Sequence, residues 1–223
     1  MVIPIKVTQP SYSAPTVTIC LIVINILVYL HQFWLSLVDP YSLNRFMEVY
    51  SLVPAHFSIA NVFTAMFVHA SWFHVLGNML FLWVFGDNVE DILGHAKYLI
   101  FYLACGFAAA MAQVGMDPMS RVPMVGASGA IAGVMGAYLL KFPRSHVVML
   151  FFLLFIFTFD VPAWLMLIYW FAIQIFGGFG SITEASQGGT AFLAHVGGFV
   201  AGMLLINAMH PRERYWRRRD LYW

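Results

Sequence analysis

PMVGASGAIAGVMGAYLLK, Pro123 to Lys141, is the stretch on which the fold turns. Within it Gly126-Ala127-Ser128-Gly129 sets one hydroxyl between glycines where an apolar segment begins. Nothing from Gly126 to Leu140 is charged, and Lys141 closes the run. A helix of that length spans ~22 Å, short of a hydrocarbon core of ~30 Å. With Lys141 at the inner surface, Ser128 sits ~20 Å up and ~10 Å below the opposite surface. A short helix that starts inside the membrane leaves room for water above it. Taken alone, the stretch also suits a helix built for close packing, since Gly129, Gly133 and Gly136 supply the small-residue spacing by themselves. The rest of the chain decides between the two.

The 223 residues are 61% hydrophobic and only 9% charged, against about 25% charged in soluble domains, so the chain is a membrane protein. Its length suffices for one helical bundle. Cys20 and Cys105 both fall in apolar runs, which excludes a disulfide framework or a zinc cluster. The runs are continuous rather than alternating, which speaks against a β-barrel. No HExxH is present, so a zinc peptidase is excluded and no metal or cofactor is expected.

Six spans are expected. The first is about Thr16 to Leu35, followed by a long loop, Ser36 to Ser71, whose mixture of Asp39, Pro40, Arg45, Glu48 and Pro54 with apolar residues suits the interface. The second begins near Trp72 and ends near Gly86-Asp87 or Glu90-Asp91. The third covers about Ala96 to Val114, the fourth is the opening stretch, and the sixth covers about Thr190 to Ala208. Val147 to Phe176 is interrupted by Asp160 and Pro162. A partly re-entrant connection at Val147–Phe159 and a fifth span at Pro162–Phe176, opened by its proline, fit that pattern better than one long tilted helix. Gly177–Gly189 then reads as a glycine-rich outer loop. The organisation is a short leader at 1–15, a six-helix membrane domain at 16–208 and a basic tail at 209–223.

Six spans put both termini on one side. Nine of the eleven Lys and Arg share that face: Lys6, Lys97, Lys141, Arg144 and five arginines between Arg212 and Arg219. Arg45 and Arg121 lie opposite. The positive-inside rule makes the nine-charge face, and both termini, cytoplasmic. Spans two, four and six then all start on the outer side, each with polar residues near that end: His74 and Asn78, Ser128, and His195. Counted from the inner boundaries, Asn78 and His195 lie at roughly 20 Å, the depth of Ser128. Intramembrane polar groups are costly and mark function. The stripe Ala194, Gly198, Gly202 on span six can pack on Gly129 and Gly133 of span four closely enough to bring His195 to Ser128. A serine hydroxyl becomes a nucleophile when a base takes its proton, and histidine is the usual base. Asn78, His74 and the Ser128 backbone N–H are candidate donors to an oxyanion. For each histidine alone, a structural hydrogen bond would explain its presence equally well. No carboxylate is placed to orient His195, since Asp117 is in a loop and Asp160 belongs to the inner half; that implies a dyad.

GASGAIAG (Gly126–Gly133), AHVGGFVAG (Ala194–Gly202) and HASWFHVLGN (His69–Asn78) resemble the three motifs of the rhomboid family of intramembrane serine proteases. The resemblance covers about Val62 to Ile206. It implies an all-α, six-transmembrane-helix rhomboid-like bundle with a long first outer loop. It also implies Ser128 as nucleophile, His195 as base, His74 and Asn78 as oxyanion donors, and an outer loop after the fifth span acting as a lid. His69 matches a family histidine with a structural role. Two departures stand out. Many members carry Trp-Arg shortly before the Phe-Thr found here at Phe63-Thr64, where this chain has Ala60-Asn61-Val62. Some bacterial members stack a tyrosine on the histidine from one turn after the serine, and here that position is Ala132.

The expected activity is hydrolysis of peptide bonds in or near transmembrane segments of other membrane proteins, which enter sideways. A helical peptide bond must first be extended, because its own backbone bonds block it. The alternative is a non-catalytic rhomboid-like factor that binds membrane proteins; against it, Ser128 and His195 are both present. A small transporter or proton pathway is disfavoured because the polar groups cluster at the outer third without a relay inward. The expected partners are transmembrane substrates and the lipid bilayer, with no nucleic acid. The expected location is a bacterial plasma membrane.

Overall fold

The computed structural model describes residues 2–152, 156–183 and 192–210. In chain order these form β1 (Val2–Val7), α1 (Thr16–Val38), α2 (Pro40–Tyr50), α3 (Ile59–Thr64), α4 (Trp72–Leu93), α5 (His95–Met116), α6 (Ser128–Lys141), β2 (His146–Phe152), β3 (Ile156–Pro162), α7 (Ala163–Thr183) and α8 (Phe192–Met209). Short 3-10 turns at Pro54–His56 and Ala65–Phe67 interrupt the stretch between α2 and α4. Among the described residues α1, α5 and α8 are long and apolar enough to cross a membrane. A fourth span results if the pair Ile59–Phe67 and Trp72–Leu93, bent by 91°, counts as one. α6, at 14 residues, and the apolar part of α7, Ala163–Phe176, are shorter.

The short α6 is the centre of the bundle. Every residue from Ala130 to Tyr138 is buried, with α4, α5 and α8 packed around it. What lets α8 approach is the loss of side chains at matched positions. A Cβ added at Gly198 would run into the Gly129 carbonyl, one at Gly202 into the Gly133 carbonyl, and one at Gly136 into the Phe199 carbonyl. Helix backbones in direct contact gain dispersion that bulkier side chains would prevent. At the C-terminal end of α6, the buried Lys141 donates to the His210 carbonyl at 3.0 Å, placing a cation at the C-terminus of α8.

A second junction ties α1 to the turn between α4 and α5. Glu90 is fully buried, yet its carboxylate accepts from the backbone N–H groups of Val17 and Thr18, each at 2.8 Å. Those are orphan donors at the start of α1, and an anion is favoured there. His95 Nδ1 lies 2.6 Å from the same carboxylate, and Asp91 accepts from Ser13 N and Oγ.

The fold departs from the all-α expectation in one place. The described residues of Val147–Phe159, 147–152 and 156–159, are strands rather than part of a fifth helix. β2 and β3 form an antiparallel hairpin, and β1, from the leader, pairs antiparallel with β2, giving the order β1-β2-β3. Val7 pairs with Val147, and Val148 with Asp160. The physical reason lies in the residues. HVVMLFF and IFTFDVP are rich in β-branched and aromatic side chains, which suit a pleated surface. The ladder pairs the backbone of β2 on both sides, which a coil would leave without partners. Asp160 is consequently exposed on an edge strand.

α7 starts directly after Pro162, as expected, but continues past Phe176 to Thr183. The first part of the expected glycine-rich loop, 177–183, is therefore helical. Glycine costs about 1 kcal/mol per residue in a helix, less than leaving apolar-bound backbone unpaired. Residues 184–189 of that loop and 211–223 of the basic tail lie outside the described residues.

The long first loop carries its own helices. Asp39 caps α2, accepting from Tyr41 N at 3.0 Å and from the Ser42 hydroxyl at 2.5 Å. In place of the missing Trp-Arg pair, Asn61 Nδ2 donates to the carbonyls of Val49 (2.9 Å) and Ser51 (2.6 Å), and Thr64 Oγ1 donates to Tyr50 O at 2.9 Å. Leu52 and Met124 exchange backbone bonds of 3.0 and 2.8 Å, tying the loop to the chain leading into α6.

The packing predicts opposite outcomes for two glycines. Gly202→Ala drives a methyl into the Gly133 carbonyl and should lower stability by about 1–3 kcal/mol, as overpacking does. Gly77→Ala meets nothing within 4 Å and should be neutral or slightly stabilising. Thermal unfolding of both variants in detergent checks this; equal effects would contradict the α6–α8 contact.

Candidate active site

Ser128 is the first residue of α6, reached through a turn that only glycine suits. Gly126 has φ +114°, and its N–H donates to Ala65 O at 2.8 Å. A Cβ there would meet His74 Nε2 at 2.6 Å and Asn78 Nδ2 at 3.5 Å. The α4 side chains named from the sequence therefore press against the backbone just ahead of Ser128.

Across the glycine-faced contact, α8 delivers His195. Its Nε2 lies 2.7 Å from Ser128 Oγ. The imidazole is buried, whereas Ser128 is half-buried. Ser128 and His195 thus meet at hydrogen-bond distance from helices 67 residues apart in sequence.

The α4 side of the site is organised by His69. Its Nδ1 is 3.3 Å from Phe67 O, and its Nε2 is 2.9 Å from Asn78 Nδ2. A carbonyl only accepts, so Nδ1 carries the proton and Nε2 accepts from the Asn78 amide. One N–H of Asn78 is engaged in this way and a second remains. His69 is held in turn by Gln32 of α1, which donates to its carbonyl at 3.0 Å and accepts from its N–H at 3.1 Å. The rings of His69 and His74 stand edge to face, 5.1 Å apart.

Two residues at the site escaped the sequence reading. Gln174 Oε1 lies 2.7 Å from His195 Nδ1, and the Trp170 ring is 5.7 Å from the His195 ring at 40°. Both come from α7. With Ala132 in the place of an aromatic on α6, the aromatic neighbour of the histidine is supplied by another helix. The available signal was Gln174 itself, an amide near the end of the apolar run Ala163–Phe176. Asp117 and Asp160 take no part, at the end of α5 and in β3 respectively.

Beside Ser128 lies a small cavity of about 50 Å³, walled largely by small and apolar side chains that include Gly106, Ala109, Ala110, Met124 and Gly129. Among the described residues, no three His, Cys, Asp or Glu side chains converge as a metal ion would need.

Comparison with known proteins follows the same lines. A family model described as the Rhomboid domain matches residues 56–212. "Rhomboid protein 1, mitochondrial" of Saccharomyces cerevisiae is 28% identical over 166 residues, covering 72% of this chain and 45% of that protein. "RHOMBOID-like protein 1" of Arabidopsis thaliana is 29% identical over 177 residues, covering 78% of this chain and 41% of that protein. The human "Presenilin-associated rhomboid-like protein, mitochondrial" is 36% identical over 94 residues, or 41% of this chain and 25% of that protein. The chain thus spans less than half the length of these relatives. With the domain match running over most of its residues and through all three motifs, the chain belongs to the rhomboid family.

Proposed function

We propose that the chain is an intramembrane serine endopeptidase that hydrolyses peptide bonds in or near transmembrane segments of membrane proteins. The observation that carries this is the 2.7 Å approach of His195 Nε2 to Ser128 Oγ at the start of a half-length helix. The family includes serine proteases, which agrees with it. His195 takes the hydroxyl proton as Ser128 Oγ attacks the substrate carbonyl, then gives that proton to the leaving amine. Water, activated by the same imidazole, hydrolyses the acyl-enzyme and restores the serine. Charge on the carbonyl oxygen is met by the Ser128 backbone N–H, the free N–H of Asn78 and the His74 imidazole. Small walls around the cavity beside Ser128 favour a small side chain next to the cleaved bond.

Six spans, α1, α4, α5, α6, α7 and α8, with both termini cytoplasmic, are part of the same proposal, as is the division into 1–15, 16–208 and 209–223. α6 serves as a span although short, because its Ser128 end faces a recess rather than lipid, and α7 spans through its apolar part, Ala163–Phe176. Transmembrane substrates enter from the bilayer beside α7. Membrane residence follows from the apolar helices and the family. The expectation of a bacterial plasma membrane gains no support from the relatives, of which those of yeast and human are named mitochondrial.

The test is a phosphonate probe together with a model transmembrane substrate. Ser128→Ala and His195→Ala should each abolish cleavage and labelling with the fold intact, and the double variant should be no worse than either. A folded wild-type chain that neither cleaves nor labels would instead make it a membrane-protein binding factor.

Asn78→Ala separates charge stabilisation from structure. Removing one oxyanion donor costs about 3 kcal/mol, roughly a hundredfold in rate. The variant should lose that much kcat with little change in KM, while Ser128 still reacts slowly with the phosphonate. Full kcat with a lowered Tm would restrict Asn78 to its bond with His69.

A further inference from the structure

We propose that Gln174 is a positioning residue whose side-chain amide holds His195 in the Nδ1–H tautomer, leaving the Nε2 lone pair to face Ser128. The proposal rests on the peptidase reading above and adds the group that sets its base. Gln174 is buried, and its amide orientation is fixed by its own helix. Nε2 donates to the Trp170 carbonyl, one turn earlier, at 3.3 Å. A carbonyl can only accept, so the amide nitrogen belongs on that side and Oε1 on the side of His195. Oε1 can also only accept, and it lies 2.7 Å from Nδ1, so Nδ1 carries the proton. A neutral imidazole has one N–H. Nε2 is therefore bare at 2.7 Å from Ser128 Oγ, the arrangement in which it can take the hydroxyl proton.

Without such a partner the other tautomer would turn an N–H towards the serine and disable the base. In serine proteases with three catalytic residues a carboxylate does this work, and its conversion to an amide leaves the wrong tautomer. Here, among the described residues, no carboxylate hydrogen-bonds the imidazole. A neutral amide whose nitrogen is already committed to a carbonyl selects the same tautomer without burying a charge. Trp170, one turn from Gln174 and 5.7 Å from the imidazole, limits rotation of the ring. The base is thus set from α7, a helix that supplies neither the serine nor the histidine.

The test uses the full chain in detergent, with Gln174→Leu and Gln174→Glu. In histidine-labelled wild-type protein, ¹⁵N chemical shifts should show His195 as the Nδ1–H tautomer, with the signal assigned by its loss in His195→Ala. Gln174→Leu should mix the tautomers and lower kcat about tenfold to a hundredfold, the effect of stripping one buried hydrogen-bond partner, with KM unchanged. Gln174→Glu, which accepts from the same N–H, should restore the tautomer and most of the rate. A merely structural glutamine would lower Tm in both variants without moving the tautomer. Wild-type kcat in folded Gln174→Leu, or an Nε2–H tautomer in the wild type, overturns the proposal. Should Gln174→Leu fail to fold, the wild-type spectrum and Gln174→Glu still decide it. A wild-type chain that neither cleaves nor reacts with phosphonate defeats the peptidase reading instead, and the spectrum then judges the hold of Gln174 by itself.

Discussion

The bare-backbone contact between α6 and α8 is the constraint on which the rest of this structure depends. Lipid offers helices little hydrophobic drive to associate, so closeness has to come from shape. Gly198 and Gly202 admit the carbonyls of Gly129 and Gly133, and no larger residue fits either place. His195 sits three residues before Gly198, and Ser128 one before Gly129. The approach that packs the helices is therefore the one that sets imidazole against hydroxyl. Packing and juxtaposition are one event, and any side chain that separates the backbones also separates the pair.

Around that contact the chain spends its few polar residues on holding elements rather than on decorating surfaces. Glu90 closes one end of the bundle by satisfying the first N–H groups of α1. At the other end, Gln32 of α1 grips the backbone of His69, His69 fixes Asn78, and Asn78 lies against the turn that leads into Ser128. An orienting path of hydrogen bonds thus runs from the first helix to the mouth of the site. Each of its members is buried, where a half-satisfied network would cost more than an apolar core.

Much of this was legible because membranes restrict the choices. Continuous apolar runs that begin near Thr16, Trp72 and Ala96, and the one closed by Lys141, mark helix limits that the structure matches within a few residues. The depths of Ser128, Asn78 and His195 follow from rise per residue and a charged end, and the three do come together on one side of the bundle. The hairpin was not legible. The hydropathy of Val147–Phe159 is the same whether the segment is helix, coil or strand, and its strand partner Val2–Val7 lies some 140 residues away. Pairing at that separation leaves no periodic trace in either segment.

By itself, then, the sequence determined a rhomboid membrane domain, the limits of most helices, and a serine, a histidine and an amide at one depth. It could do so because lipid forces backbone bonds inward and makes each intramembrane polar residue conspicuous. Tertiary structure alone decided which neighbours those residues have. That Asn78 spends one N–H on His69, that α7 rather than α6 brings an aromatic to His195, and that Gln174 meets its far nitrogen depend on helix rotation. Rotation is set by which glycines meet across an interface, and spacing along one helix specifies a face without naming the face that packs against it.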